Sequence, residues 1–131
     1  MSIELQLDPS LPEVWGDPDA VVRALRHLLD NAIKFGPTRA RVWLTAMRTL
    51  GGVRFAVRDA GPGIPADEHE RIFEPFYQID GSETRAVGGM GLGLALVRRI
   101  LDGHHVAVEV VSAPGEGSTF AFELPLASDY R

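Results

Sequence analysis

The stretch Gly88-Gly89-Met90-Gly91-Leu92-Gly93-Leu94-Ala95-Leu96-Val97 constrains this chain more than any other. Glycines at 89, 91 and 93 run directly into an apolar helical segment. Alternating glycines let backbone N–H groups approach a ligand closely. The helix that follows adds its free N-terminal donors and the positive end of its dipole, so the junction suits a phosphate. Glycine loops are common, and the companions of this one decide its meaning. A P-loop requires Gly-Lys-Ser/Thr, which is absent. A dinucleotide fold requires a strand immediately before the glycines, where this chain has polar Ser82-Glu83-Thr84-Arg85.

With 131 residues, 45% hydrophobic and 24% charged, the chain reads as one globular domain able to bury a core. The net charge of −5 and the single lysine, Lys34, argue against a general nucleic-acid or anionic-membrane surface. The absence of cysteine removes disulfides and Cys-based zinc sites. No apolar run is long enough to span a membrane, and no signal-peptide pattern opens the chain. A cytoplasmic domain without direct membrane contact is expected, and its parent protein could be membrane-anchored.

Periodicity orders the elements. Ile3, Leu5 and Leu7 alternate with polar residues as in a strand. Asp17-Pro18-Asp19 supplies a capping carboxylate and a first-turn proline, and the helix it opens ends near Phe35, before Gly36-Pro37. Its apolar stripe is Val21, Leu25, Leu28, Leu29, Ala32 and Phe35, while His27, Asn31 and Lys34 share another face. Strands at about 39–47 and 53–58 flank a Gly51-Gly52 turn. Val53, Phe55 and Val57 take one face of the second, and the same parity puts Asp59 on that apolar face, where a carboxylate needs a partner or an open pocket. A short helix over 67–73, a long polar loop over 77–90, a helix over 91–102 and a hairpin of strands 106–112 and 118–125 complete the expectation, with 127–131 frayed. The fold class is α+β: a two-layer sandwich in which helices cover one face of a mixed, mostly antiparallel sheet.

Asn31 on a helix, Asp59-x-Gly61-x-Gly63, the 89–93 glycines and Gly115-x-Gly117-Ser118 occur in that order. In that order they resemble the Bergerat-type ATP-binding fold shared by sensor histidine kinases, DNA gyrase, Hsp90 and MutL. The histidine kinase catalytic domain is the most similar branch. His27-Leu28-Leu29-Asp30-Asn31-Ala32-Ile33-Lys34-Phe35 looks like its asparagine box, and Arg71-Ile72-Phe73-Glu74-Pro75-Phe76-Tyr77 like its phenylalanine box. The resemblance covers about residues 3–125 of a single domain spanning 1–131.

The resemblance implies Mg-ATP. It assigns Asn31 to Mg²⁺, for which a neutral side-chain oxygen is a sound hard-cation ligand, and Lys34 is a point charge able to reach a phosphate. Asn31 and Lys34 are thus the candidate catalytic residues, flanked by His27 and Phe35. The plain alternative is that 27, 31 and 34 form the solvated face of an amphipathic helix. Asp59 would accept the adenine amino group and select ATP over GTP, Gly61 and Gly63 would leave room for the ring, and Ile64 would line it. A turn aspartate is the ordinary reading of Asp before Gly, and burial parity works against it. Gly89, Gly91, Leu92, Gly93 and Leu94 would line the phosphates and hinge a lid, with Arg85 in that lid as a phosphate contact. Ser118 resembles the hydroxyl that reaches adenine through water, and Thr119 could substitute. Tyr77 could stack near the nucleotide, while core packing is expected for at least one of Phe73 and Phe76. His69, His104 and His105 lack metal-ligand companions and read as surface residues.

The chain departs from the family pattern at two places. His27 stands where histidine kinases more often have asparagine and gyrase-like ATPases carry a glutamate base, which disfavours a gyrase- or Hsp90-type hydrolytic ATPase. Gln78 stands where the family frequently has arginine. A nucleotide-binding regulatory module is the non-enzymatic alternative. The resemblance implies transfer of the γ-phosphoryl group to a histidine on a separate dimerisation and phosphoacceptor domain, in two-component signalling with a cognate response regulator. No segment here resembles that acceptor box, since His69-Glu70 precedes the phenylalanine box. The chain is therefore expected to bind ATP as a monomer without autophosphorylating.

Overall fold

The computed structural model describes residues 2–35, 41–75, 77 and 93–129. Strands β1 (Ser2–Leu7), β2 (Arg41–Arg48), β3 (Gly52–Asp59), β4 (Glu109–Ser112) and β5 (Ser118–Pro125) form one sheet in the order β1-β2-β3-β5-β4. Only the β1–β2 pair is parallel; the other three pairs are antiparallel. Helices α1 (Pro18–Phe35) and α2 (Gly93–Gly103) pack on each other and on one face of the sheet. The expected mixed, mostly antiparallel sheet with helices on one face is what forms.

Local chemistry explains the boundaries. Asp17 caps α1: its Oδ1 accepts the N–H groups of Asp19 and Ala20 at 3.0 and 3.4 Å. Val21, Ala24, Leu28 and Ala32 recur at helical spacing and are the buried stripe of α1, with Leu25 and Leu29 half-buried beside it. At the far end of α2 the chain turns through His105, which takes a left-handed φ of 59°. The Val106 N–H reaches back to the Leu101 carbonyl at 2.9 Å and the His105 N–H to the Asp102 carbonyl at 3.0 Å, a Schellman closure. That closure occupies the start of the expected 106–112 strand, so β4 begins only at Glu109.

The core lies between the helices and the inward face of the sheet. Cross-strand register puts Val42 and Leu44, Val57 and Asp59, Phe120 and Ser118, and Val110 and Ser112 on that face. Phe120, Phe122, Leu28, Leu101 and Leu124 are fully buried there, each contributing roughly 1.5–3 kcal/mol by burial. The opposite face carries Trp43, whose Nε1–H donates to Glu4 at 2.9 Å and whose ring lies 4.8 Å under the Arg58 guanidinium.

Three expectations need correction. The 67–73 segment is not an α-helix but two 3₁₀ turns, Ala66–Glu68 and Arg71–Phe73. Its hydrogen bonds all span three residues, since so short a segment cannot offset the nucleation cost of an α-helix. Residues Ala127–Asp129 form a third 3₁₀ turn rather than fraying, because the Ala127 N–H is held by the Glu13 carbonyl at 3.0 Å. His104 is buried rather than on the surface. Its Nε2 accepts the Asp17 N–H and its Nδ1 meets the Ile100 carbonyl at 2.8 Å, so the polar ring is satisfied inside. Ile3, Leu5 and Leu7 form the expected strand; it lies at the sheet edge, where they are 47%, 62% and 56% exposed. No described helix is long and apolar enough to cross a membrane.

Candidate nucleotide site

Asp59 ends β3 on the inward face, only 6% exposed. Its Oδ1 accepts the Gly61 N–H at 2.8 Å. Burial pushes its carboxyl above the usual value of 3.8, and the backbone amides of Gly61 and Ser118 pull partly against that shift. The expected parity holds, and the carboxylate directly faces Ser118 across the β3–β5 ladder.

Two turns lock together around this pair. The Gly115 N–H reaches the Pro62 carbonyl. Gly63 sits at φ 81°, where a Cβ would lie 1.9 Å from the Ala113 carbonyl oxygen. Gly117 sits at φ 74°, where a Cβ would lie 2.2 Å from the Asp59 carbonyl oxygen. Only glycine fits either position. The space beside Gly63 is thus taken by the β4–β5 turn. Ile64 is buried in the core next to this junction.

Ser112, which ends β4, binds the two turns although it belongs to none of the sequence motifs. Its Oγ accepts the Ile64 N–H at 2.7 Å, donates to the Gly117 carbonyl at 2.8 Å, and lies 2.8 Å from Ser118 Oγ. The parity that marks Asp59 is also present here: Ser112 is a polar residue at the inward end of a strand whose Val110 packs half-buried against the core. Thr119 does not substitute for Ser118. It pairs with Arg58 on the outward face, because successive strand residues point to opposite sides.

The second half of the site lies where α1 meets α2. Asn31 is half-buried, one turn from His27 on the same face of α1. Gly93 opens α2 against His27: a Cβ there would lie 3.8 Å from His27 Nδ1. Gly93, the one described glycine of the 89–93 run, thus lies at the described start of α2 beside the His27–Asn31 face. Leu94 packs half-buried against the core. Arg85, Gly89, Gly91 and Leu92 lie outside the described residues, as do Phe76, Gln78 and the side chains of Lys34 and Phe35.

Between the two halves, Phe73 is buried and meets Phe120 edge-on at 6.2 Å. Arg98 of α2 lies 5.5 Å over the Phe73 ring and pairs with Glu70 at 3.6 Å. The Tyr77 hydroxyl donates to the Glu68 carboxylate, and that bond raises the phenol above its usual range. His69 Nε2 is 3.0 Å from the Ile64 carbonyl.

Residues 16–128 match the family described as histidine kinase-, DNA gyrase B- and HSP90-like ATPases. The sensor-like histidine kinase SenX3 of Mycobacterium tuberculosis is 41% identical over 124 residues, covering 94% of this chain and 30% of SenX3. The full-length structure of ShkA in complex with AMPPNP aligns at TM-score 0.80 and 36% identity, over 96% of this chain and 26% of that one. The catalytic domain of the histidine kinase ThkA aligns at TM-score 0.81 and 27% identity, over 99% of this chain and 82% of that one. ThkA has also been solved in complex with the response regulator TrrA, and there aligns at TM-score 0.78, 26% identity, and 98% and 35% coverage. The chain thus spans about a third of the length of relatives such as SenX3.

Proposed function

The chain belongs to the family of histidine kinase-, DNA gyrase B- and HSP90-like ATPases, and we propose that it is the catalytic domain of a sensor histidine kinase, binding Mg-ATP for phosphoryl transfer to a histidine on another domain. One observation carries the proposal: a buried, amide-held carboxylate, Asp59, faces a hydroxyl at the end of the sheet. A carboxylate in that setting accepts from an exocyclic amino group, which adenine offers and guanine does not at the same position. The AMPPNP bound by ShkA supports an adenine nucleotide.

The α1–α2 junction fits the other end of such a ligand. A helix N-terminus attracts phosphate oxygens, and Asn31 offers a neutral oxygen from a half-buried helical position. That chemistry suits Mg²⁺, which takes few protein ligands beside water and phosphate. When bound, the cation neutralises charge on the phosphates. The chain's own part is to orient the triphosphate through Asn31 and Gly93, with Lys34, Arg85, Gly89, Gly91 and Leu92, outside the described side chains, as further proposed contacts. Positioning and charge neutralisation are the main contributions to phosphoryl transfer. The bond from the bridging oxygen to the γ-phosphorus breaks, the acceptor imidazole nitrogen bonds to that phosphorus, and ADP leaves. The proposed partners are the phosphoacceptor domain and, as ThkA binds TrrA, a response regulator.

Calorimetric titration with Mg-ATP tests the site. Asp59→Ala and Asn31→Ala should each weaken binding at least tenfold, roughly the effect of losing one charge-assisted contact. Wild-type affinity in both variants overturns the assignment.

A further inference from the structure

The three contacts of Ser112 determine where its proton goes. A hydroxyl carries one donor and two acceptor lone pairs. The Gly117 carbonyl can only accept, so Ser112 donates to it. The Ile64 N–H can only donate, so Ser112 accepts from it. The remaining contact, to Ser118 Oγ, must then be one in which Ser118 donates. Every capacity of Ser112 is used, and the one proton of Ser118 is committed to Ser112.

From this we infer that Ser112 is a specificity-determining positioning residue: it turns the Ser118 hydroxyl so that only acceptor lone pairs face the base. Ser118 and Asp59 stand directly opposite each other on the inward face. Together they form an all-acceptor wall. Such a wall welcomes an amino group, directly or through a water that donates to Ser118, and repels a carbonyl oxygen. The discrimination is built two residues deep, because a free Ser118 hydroxyl would rotate its proton toward a carbonyl and accommodate it. This inference rests on the adenine-nucleotide reading of the site and adds a residue to it.

Inosine triphosphate, in which a carbonyl replaces the amino group, is the direct probe. The ratio of Mg-ATP to Mg-ITP affinity is measured by calorimetry for the wild-type chain, Ser112→Ala, Ser112→Thr and Ser118→Ala. Ser112→Ala should lower the preference for ATP by ~5-fold, the equivalent of one neutral hydrogen bond. Ser112→Thr keeps the hydroxyl and should restore the wild-type ratio. Ser118→Ala leaves the Ile64 and Gly117 bonds of Ser112 intact and should lower the ratio similarly, which keeps the test open if Ser112→Ala fails to fold. A purely structural role would weaken both nucleotides together. An unchanged ratio in the variants that fold therefore overturns the inference while leaving ATP binding standing. Failure of the wild-type chain to bind Mg-ATP overturns both this inference and the reading beneath it.

Discussion

His104 Nε2 accepts the backbone N–H of Asp17 at 3.0 Å, tying the turn after α2 to the N-cap of α1. The contact joins residues 87 positions apart and seats the imidazole edge-on against Trp15, with ring centres 5.6 Å apart. His104→Leu fills similar volume but leaves the Asp17 N–H without its partner. Denaturant unfolding should show a loss of about 1 kcal/mol, the net worth of one part-buried hydrogen bond.

His105, the next residue, holds a left-handed backbone with φ 59°. It is exposed, so its side chain contributes little packing. His105→Gly removes the steric penalty of that conformation, which is ~1–2 kcal/mol, and gives back part of it as unfolded-state entropy. The melting temperature should rise, whereas a fall would mean that the imidazole contributes a contact larger than the strain.

The glycines of the interlocked turns should respond unequally to alanine. Gly115 has φ 82° with open space around it, so Gly115→Ala should cost only the backbone penalty of ~1–2 kcal/mol. Gly63→Ala and Gly117→Ala add a Cβ driven into a carbonyl oxygen, and both should destabilise by clearly more. They should also weaken Mg-ATP binding, because the collision at Gly117 is with Asp59 itself. Thermal unfolding and calorimetry on the three variants check the order.

Asp59 should make the free domain more stable as pH falls. Its folded-state carboxyl is raised by burial above 3.8, so across that window the native state holds more proton than the unfolded chain. Stability from this group is present below the ordinary value and is lost as pH rises through the folded one. The stability of wild type relative to Asp59→Asn should therefore decline with rising pH across that range. Nucleotide affinity should run the other way, since protonation turns an acceptor into a donor. Chemical unfolding and calorimetry from the ordinary carboxylate value of 3.8 upward toward neutrality check both signs.

The isolated 131-residue chain, incubated with γ-labelled ATP, should yield no acid-labile phosphohistidine. His69, its only His-Glu pair, has a ring nitrogen engaged 3.0 Å from the Ile64 carbonyl. Label on His69 would overturn the division of labour proposed above.

Element order, the mixed sheet and the burial of Asp59 were all readable from local pattern. Alternation and turn glycines are short-range signals, and parity carries one residue's face to the next. The capped start of α1 was equally local, with Asp17, Pro18 and Asp19 adjacent in the chain. The need of Asp59 for a partner followed from the same parity, since a buried carboxylate at an apolar position must be met by a donor or face an open pocket.

Other features depended on residues far apart in sequence. His104 looked like a surface residue until Asp17 arrived to satisfy it. Gly63 reads locally as a turn glycine, and the Ala113 carbonyl, packed where its Cβ would lie, is what makes glycine obligatory there. Ile3, Leu5 and Leu7 have the pattern of buried residues and remain exposed, because the sheet order leaves their strand at an edge. Ser112 carries no local signal of its proton's direction, which emerges only when Ile64, Gly117 and Ser118 surround one oxygen. Periodicity and turn chemistry act over a few residues and so could be read along the chain. Hydrogen-bond direction, close backbone approach and edge exposure arise between elements, and only their packing decided them.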